Sequence, residues 1–301
     1  MDGGGVVNHP NKNKLVQEDL IEGEQSNSHI PLINEACATC SIHHSANLQK
    51  LGVNMSDADF VVALAGNPNV GKSTVFNALT GLHQHTGNWP GKTVSRAEGG
   101  FEYGEQRYKI VDLPGTYSLL ATSLDEEVAR DFILFGQPDV TVVVVDATRL
   151  ERNLNLAFQV MEITERVVIC LNLMDEARRH GLSVDDRRLA RDLGVPVVPA
   201  AARSKKGIPE LLQAISDVAS GRVICQPYRI QNEPPQFKQA IDTLIHKISA
   251  VYPHLPNARW IALRLLDGDE RIAEAMRKGE LGVAKGVLFS DTLKDNDIST
   301  R

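Results

Sequence analysis

Residues Gly66-Asn67-Pro68-Asn69-Val70-Gly71-Lys72-Ser73 fit the pattern G-x-x-x-x-G-K-[ST]. These residue types at this spacing suit the holding of phosphate. The glycines permit backbone angles that turn successive N–H groups inward as an anion nest. A helix opening at Lys72 adds partial positive charge at its N-terminus. Lys72 would set its ammonium against β- and γ-phosphates, and Ser73, with Thr74 beside it, would offer its hydroxyl to Mg²⁺.

The loop alone does not separate adenine from guanine nucleotides, but three later segments bear on the choice. Asp112-Leu113-Pro114-Gly115 supplies a carboxylate for a Mg²⁺-bound water and a glycine N–H for the γ-phosphate. Asn172-Leu173-Met174-Asp175 supplies a carboxylate that can accept both N1–H and N2–H₂ of guanine, a pair that adenine does not offer. Asn172 can brace the base and the phosphate loop. Ala200-Ala201-Ala202 offers a backbone N–H to guanine O6. Each segment is weak alone. In this order, each at the end of an expected strand, they converge on one crevice of an open α/β sheet and point to GTP or GDP.

The elements that must position them are legible. Phe60–Gly66, Val140–Val145 and Arg166–Leu171 are continuous apolar runs of strand length, and Val195–Val198 is a shorter one. Gly100–Tyr103 and Arg107–Val111 flank Gly104-Glu105 as a hairpin. Helical stretches fall at Lys72–Leu79, Leu124–Phe135, Leu154–Ile163, Val184–Leu193 and Pro209–Ser220. This alternation predicts an α/β fold, a mostly parallel sheet with helices on both faces. It occupies residues 57–222. A proline-bearing linker follows at 223–233, then a small all-helical domain at 234–292 and a polar tail at 293–301. The helical domain is read from Phe237, Ile241, Leu244, Ile245 and Ile248 at helical spacing, then Trp260–Leu266 and Ile272–Met276. Residues 1–56, rich in Gly, Asn, Ser and His, read as a disordered extension.

Composition narrows the function classes. The 301 residues carry a net charge of −6. Residues 1–59 hold three Lys and eight acidic groups, and the other 242 hold 29 basic and 30 acidic groups. A near-neutral body without a basic stripe disfavours a nucleic-acid partner. No apolar run approaches the roughly 18 residues of a membrane helix. Four cysteines are too few for a disulfide scaffold.

The sequence resembles the cytosolic part of the ferrous iron transport protein B family over residues 58–290. Ras-like GTPases share the phosphate loop and the Asp112–Gly115 and Asn172–Asp175 segments. The narrower match is Gly87-Asn88-Trp89-Pro90-Gly91-Lys92-Thr93-Val94, then Asp112 to Leu119, then Tyr252-Pro253 and Arg259 to Asp269. The resemblance implies a Ras-like G domain with slow GTP hydrolysis, followed by a helical domain that relays its state to a membrane domain. It places the chain at the cytoplasmic side of the bacterial inner membrane, with small Feo accessory proteins among its partners. It assigns Thr93 to switch I, where hydroxyl and carbonyl reach Mg²⁺ and γ-phosphate; the alternative is an ordinary loop residue. It assigns Asn69, with carbonyls of Gly87 and Trp89, to a K⁺ ion beside the phosphates; alternatively, Asn69 only caps backbone. Thr116 and Tyr117 stand where a water-orienting glutamine is common. Two positions depart from the family. Lys92 replaces an apolar residue and faces water or phosphate, and the alanine segment lacks the usual serine.

Other readings stay open at this level. A ribosome-assembly GTPase would carry a basic RNA-binding domain, and an interaction switch would show negligible turnover. Cys37, Cys40, His43 and His44 suit Zn²⁺ or iron by residue type, or are incidental in a disordered segment. Cys170 reads as core, Cys225 as a linker thiol, and His83 and His85 as solvent-facing.

Overall fold

A computed structural model describes residues 47–120, 123–229, 234–253, 255 and 257–281. Strands are β1 Phe60–Gly66, β2 Gln84–Asn88, β3 Ser95–Tyr103, β4 Gln106–Asp112, β5 Val140–Asp146, β6 Val167–Asn172 and β7 Val197–Pro199. Helices are α1 Lys72–Thr80, α2 Leu124–Gly136, α3 Leu150–Ile163, α4 Met174–Arg179, α5 Asp186–Leu193 and α6 Ile208–Ala219. The helical part holds α7 Pro235–Val251, α8 Ala258–Leu266 and α9 Glu270–Arg277.

The sheet runs β2-β3-β4-β1-β5-β6-β7. β4, β1, β5, β6 and β7 pair in parallel, and β3 is antiparallel to both β2 and β4. The apolar runs become the central strands. All seven residues of β5 and all six of β6 are buried, as expected for parallel strands covered on both faces. The register sets Gly66 of β1 opposite Val144 of β5, and Asp146 of β5 opposite Asn172 of β6. The glycine that opens the phosphate loop and the asparagine that closes β6 therefore end on the same edge.

Helix termini follow local chemistry. The Ser123 side chain accepts from Glu126 N at 3.3 Å at the start of α2, whose first turn carries Asp125, Glu126 and Glu127. The hydroxyl satisfies a free donor and the acids complement the dipole. Asp269 caps α9 in the same way, accepting from Ile272 N at 3.2 Å.

The structure departs from the sequence expectation in identifiable places. β2, Gln-His-Thr-Gly-Asn, has no apolar alternation, and it forms because β3 presents an edge for it. α3 begins four residues earlier than expected, after a short 3₁₀ turn at Ala147–Arg149. There the Asp146 carboxylate accepts from Thr148 N at 2.8 Å and Thr148 Oγ1 at 2.7 Å. Residues 47–56 do not lie outside the packed body as expected. Leu48 and Val53 are fully buried, and Arg96 Nη1 donates to Leu51 O at 3.0 Å. Cys225 lies between α6 and α7, as expected of a linker thiol, but is packed against the sheet. It is buried, with Sγ 3.6 Å from Val167 O, and Gln226 N and Tyr228 N bond Gly194 O and Leu193 O at 2.9 Å. Phe237 is half exposed at the start of α7, while Ile241 and Ile248 are buried. Residues 1–46, 230–233 and 282–301, with the expectations placed on them, lie outside the described residues.

Candidate nucleotide-binding site

The phosphate loop leaves β1 at Gly66 and enters α1 at Lys72. Asn69 and Gly71 both adopt positive φ, 68° and 82°. Such angles turn backbone N–H groups to one side. Gly71 has a second reason to lack a side chain: a Cβ there would lie 2.5 Å from Asn172 Nδ2. Asn172, 1% exposed, donates from Nδ2 to Val70 O at 3.0 Å and accepts from Ala202 N on Oδ1 at 3.1 Å. One side chain thus joins the phosphate loop, the end of β6 and the alanine segment after β7.

The Asp112 segment runs off β4 along the end of β1. Leu113 N bonds Leu64 O at 3.0 Å, and Thr116 N bonds Gly66 O at 3.3 Å. A Cβ placed on Gly115 would meet Pro68 at 3.5–3.6 Å, so this turn packs directly on the phosphate loop. Lys72 Nζ is hydrogen-bonded to the Asp112 carboxylate and to Leu113 O, the latter at 2.6 Å. Burial lifts the Asp112 pKa above the usual carboxylate value, and the Lys72 ammonium works against that rise.

Ser73 and Thr74 are exposed at the first turn of α1. Asp175 sits in the first turn of α4, 49% exposed, with Arg179 Nη2 at 3.8 Å. Leu173, just before α4, takes φ 61°. In the alanine segment one expectation is corrected. Ala200 N bonds Leu171 O at 2.8 Å, Ala201 N bonds Lys206 O at 3.0 Å, and Ala202 N bonds Asn172. Each N–H is already given to a protein acceptor, so none of the three is offered to a base in this conformation.

The segment Gly87–Thr93 is held elsewhere. Gly87 lies in edge strand β2 opposite Arg96. Trp89 N bonds Val94 O at 2.9 Å, and the Trp89 carbonyl, expected as an ion ligand, accepts from Lys92 N at 3.0 Å. The Trp89 ring is buried edge-on against Phe132 of α2, centroids 5.3 Å apart. Lys92 faces neither water nor phosphate: its Nζ pairs with Glu127 of α2 at 2.9 Å. Gly91 and Thr93 are exposed at the hairpin tip. The structure therefore brings together the phosphate loop, Asp112–Gly115, Asn172 and Ala202, while the hydrogen bonds and ion pair of the Trp89–Thr93 tip run to its own hairpin and to α2.

Two residues not singled out from the sequence reach the stretch after Gly115. Gln159 Oε1 of α3 accepts from Leu119 N at 2.6 Å and from Ser118 Oγ at 3.3 Å. The Arg152 guanidinium lies over the Tyr117 ring at 4.5 Å. A lone glutamine and a lone arginine in a helix carry no sequence signal of such a role. His83 and His85 are exposed and Cys170 is buried, its thiol pushed up to about 12 by burial. Cys37, Cys40, His43 and His44 lie outside the described residues, and among the described residues no group of three His, Cys, Asp or Glu side chains is placed to hold a metal.

A parallel sheet whose first loop is a phosphate nest, with aspartate and asparagine segments at neighbouring strand ends, defines a P-loop G domain, and here a helical domain follows it. The family model described as ferrous iron transport protein B matches residues 60–215, more than half of the chain. A second, the FeoB cytosolic helical domain, matches residues 234–288. The chain belongs to the ferrous iron transport protein B family. It is 43% identical over 222 residues to the Fe(2+) transporter FeoB of Methanocaldococcus jannaschii, covering 74% of this chain and 33% of that protein. It is 41% identical over 215 residues to the Fe(2+) transport protein A/Fe(2+) transporter FeoB fusion protein of Porphyromonas gingivalis, covering 70% of this chain and 25% of that protein. The chain thus spans a quarter to a third of the length of these curated relatives. Among solved structures, the cytosolic domain of L. pneumophila FeoB superposes with a TM-score of 0.63 at 34% identity, covering 73% of this chain and 94% of that one. The cytosolic domain of T. maritima FeoB in a GDP form gives 0.65 at 35% identity, covering 73% and 84%. Among the described residues, no helix is long and apolar enough to cross a membrane.

Proposed function

We propose that this chain binds GTP and GDP with Mg²⁺, hydrolyses GTP slowly to GDP and phosphate, and is stimulated by K⁺. In the cell it serves as the cytosolic regulatory module of a ferrous iron transporter, at the cytoplasmic face of the bacterial inner membrane. Its partners are the transporter's membrane domain and small Feo accessory proteins, and no nucleic acid. The observation that carries this is the Asn172 bridge, 3.0 Å to Val70 O and 3.1 Å from Ala202 N. It ties the phosphate-binding loop to the end of β6, which leads into Asp175, and to the alanine segment after β7.

The roles follow from that frame. Lys72 holds the β- and γ-phosphates. Its ammonium now rests on Asp112 and Leu113 O, so phosphate binding exchanges one set of oxygen acceptors for another. Mg²⁺ prefers hard oxygen ligands, and Ser73 would supply a hydroxyl and Asp112 a carboxylate, with Thr93 joining them from switch I. Held there, Mg²⁺ would supply charge neutralisation for the transferring phosphoryl group. Asp175 reads the guanine edge from the first turn of α4. Thr116 is buried and gives its N–H to Gly66 O, so no side-chain amide orients water there, which supports slow turnover. Asn69, exposed at positive φ, fits a K⁺ ligand. The carbonyl of Trp89, which accepts from Lys92 N, keeps a second lone pair for the same ion.

Phosphate release in KCl and in NaCl tests the hydrolysis and the K⁺ dependence together. Faster release in KCl, with the difference lost in Asn69→Ala, is expected. Equal rates in the two salts remove the K⁺ assignment. Asp175→Asn should weaken GTP binding at least tenfold, because the substitution removes a charge-assisted pair worth about 1.5–3 kcal/mol. Unchanged GTP affinity in that variant removes the base-recognition assignment.

A further inference from the structure

We infer that Gln159 is a positioning residue for GTP hydrolysis, a role that rests on the activity proposed above. The stretch after Gly115 carries Thr116 and Tyr117 rather than a glutamine, so its backbone, rather than a side-chain amide, must set the geometry around the γ-phosphate. The Leu113–Leu119 backbone has three N–H groups tied outside the stretch, besides the Leu113 carbonyl that accepts from Lys72 Nζ at 2.6 Å. Leu113 N bonds Leu64 O at 3.0 Å, and Thr116 N bonds Gly66 O at 3.3 Å, both on β1. The third tie is Leu119 N to Gln159 Oε1 at 2.6 Å, with Ser118 Oγ at 3.3 Å on the same oxygen. The first two are backbone pairs fixed by the sheet. The third depends on one side chain from α3, forty positions away in sequence.

The same face of α3 carries a second hold. Arg152 lies seven residues before Gln159, hence on the same side of the helix, and its guanidinium covers the Tyr117 ring at 4.5 Å. The next residue, Leu120, is 51% exposed. Gln159 therefore holds the last of these tied N–H groups. A side chain in this place acts on turnover through Gly115 and its neighbours without touching the nucleotide.

The test compares the chain with Gln159→Leu and Gln159→Glu. Glutamate keeps an oxygen for both donors, and leucine keeps only the packing. Gln159→Leu should lower kcat about tenfold, equivalent to about 1.4 kcal/mol, with KM and GDP affinity within about twofold, as expected for loss of one short hydrogen bond. Gln159→Glu should stay within about twofold of the parent kcat, the range of a conserved acceptor. Hydrogen exchange at the Leu119 amide should accelerate in the leucine variant alone. A parent chain that hydrolyses GTP beside a Gln159→Leu variant with unchanged kcat overturns the positioning role and leaves the GTPase assignment standing. Equal losses in both variants, or a KM that rises in step with the fall in kcat, also overturn it. A parent chain without turnover overturns the GTPase assignment and this role with it.

Discussion

Arg130 is 1% exposed in the middle of α2 and is the cation of a buried network. Its Nε and Nη2 donate to Asp131 Oδ1 at 3.1 and 3.0 Å, and its Nη1 donates to Asp269 Oδ2 at 3.1 Å. Asp269 is the N-cap of α9, so this guanidinium fastens the G domain to the helical part. Arg271 flanks it, 3.7 Å from Asp131 Oδ2 and 2.8 Å from Glu280 Oε2. Arg130→Met retains length and apolar bulk and removes the charge between two carboxylates that are 12% and 14% exposed. Removing one partner of a buried pair costs about 3–5 kcal/mol. Arg271 still faces Asp131, so the lower end, about 3 kcal/mol, is expected. At about 2–4 °C per kcal/mol for a body of this size, the melting temperature falls by about 6–12 °C near pH 7.5.

The pH dependence carries the sign of the argument. Burial lifts the Asp131 pKa above the usual 3.8, with Arg130 the first group opposing the rise. A carboxylate whose folded pKa is raised binds its proton more tightly folded than unfolded. Between the two values stability therefore falls as pH rises. Without Arg130 the folded value climbs further and the window widens upward from 3.8. The variant should thus recover part of its deficit when moved from about pH 7.5 to about pH 5. Thermal unfolding followed by calorimetry at both pH values measures this. A deficit identical at the two values, or a shift below about 2 °C at neutral pH, refutes the buried-charge account.

Two further substitutions test the site. Asn172→Ala leaves Val70 O and Ala202 N without their partner, at about 1–3 kcal/mol for each group left buried and unpaired. Affinity for GTP and GDP should fall tenfold or more by titration calorimetry, and unchanged affinity would remove the bracing role. Gly71→Ala forces a side chain into φ 82° and 2.5 Å from Asn172 Nδ2. The conformational part alone costs about 1–2 kcal/mol, so both nucleotides should bind more weakly by a fluorescent-analogue titration. A variant that binds only one of them less well would contradict the steric account.

Strands β1, β5 and β6 were legible because they are almost wholly apolar, as burial on both faces requires. The phosphate loop was legible because Gly66, Gly71, Lys72 and Ser73 each answer a local demand of phosphate binding. What escaped the sequence was decided at long range. β2 has no strand pattern and exists only because β3 offers it an edge. Leu48 and Val53 sit in a polar stretch whose composition hides two core residues. Lys92 finds Glu127 only because the hairpin folds back on α2. Asn172 could be expected to brace the loop, but its bond to Ala202 N, and the loss of that N–H to the base, needed coordinates. Gln159 gave no signal, since its partner is a backbone N–H.

These long-range contacts meet on one element. Coupling between nucleotide loops and a distant domain requires a shared element with two arrangements that both ends bias. α2 is placed for this. On one side it receives the Trp89–Thr93 tip, through the Trp89 ring 5.3 Å from Phe132 and Lys92 at 2.9 Å from Glu127. On the other, Arg130 and Asp131 hold Asp269 and Arg271. The Trp89 seat is incompletely satisfied, since its Nε1 is buried without a partner among the described residues. Such a donor costs about 1–3 kcal/mol, which another position of the loop relieves. The turn closed by Lys92 N on the Trp89 carbonyl belongs to the same tip, so a displacement of the tip pulls on the Trp89 ring. Close-packed interiors answer such a displacement by repacking rather than by smooth deformation. Withdrawal of Trp89 from Phe132 therefore acts on the helix that carries Arg130, two residues away, and through it on the cap of α9.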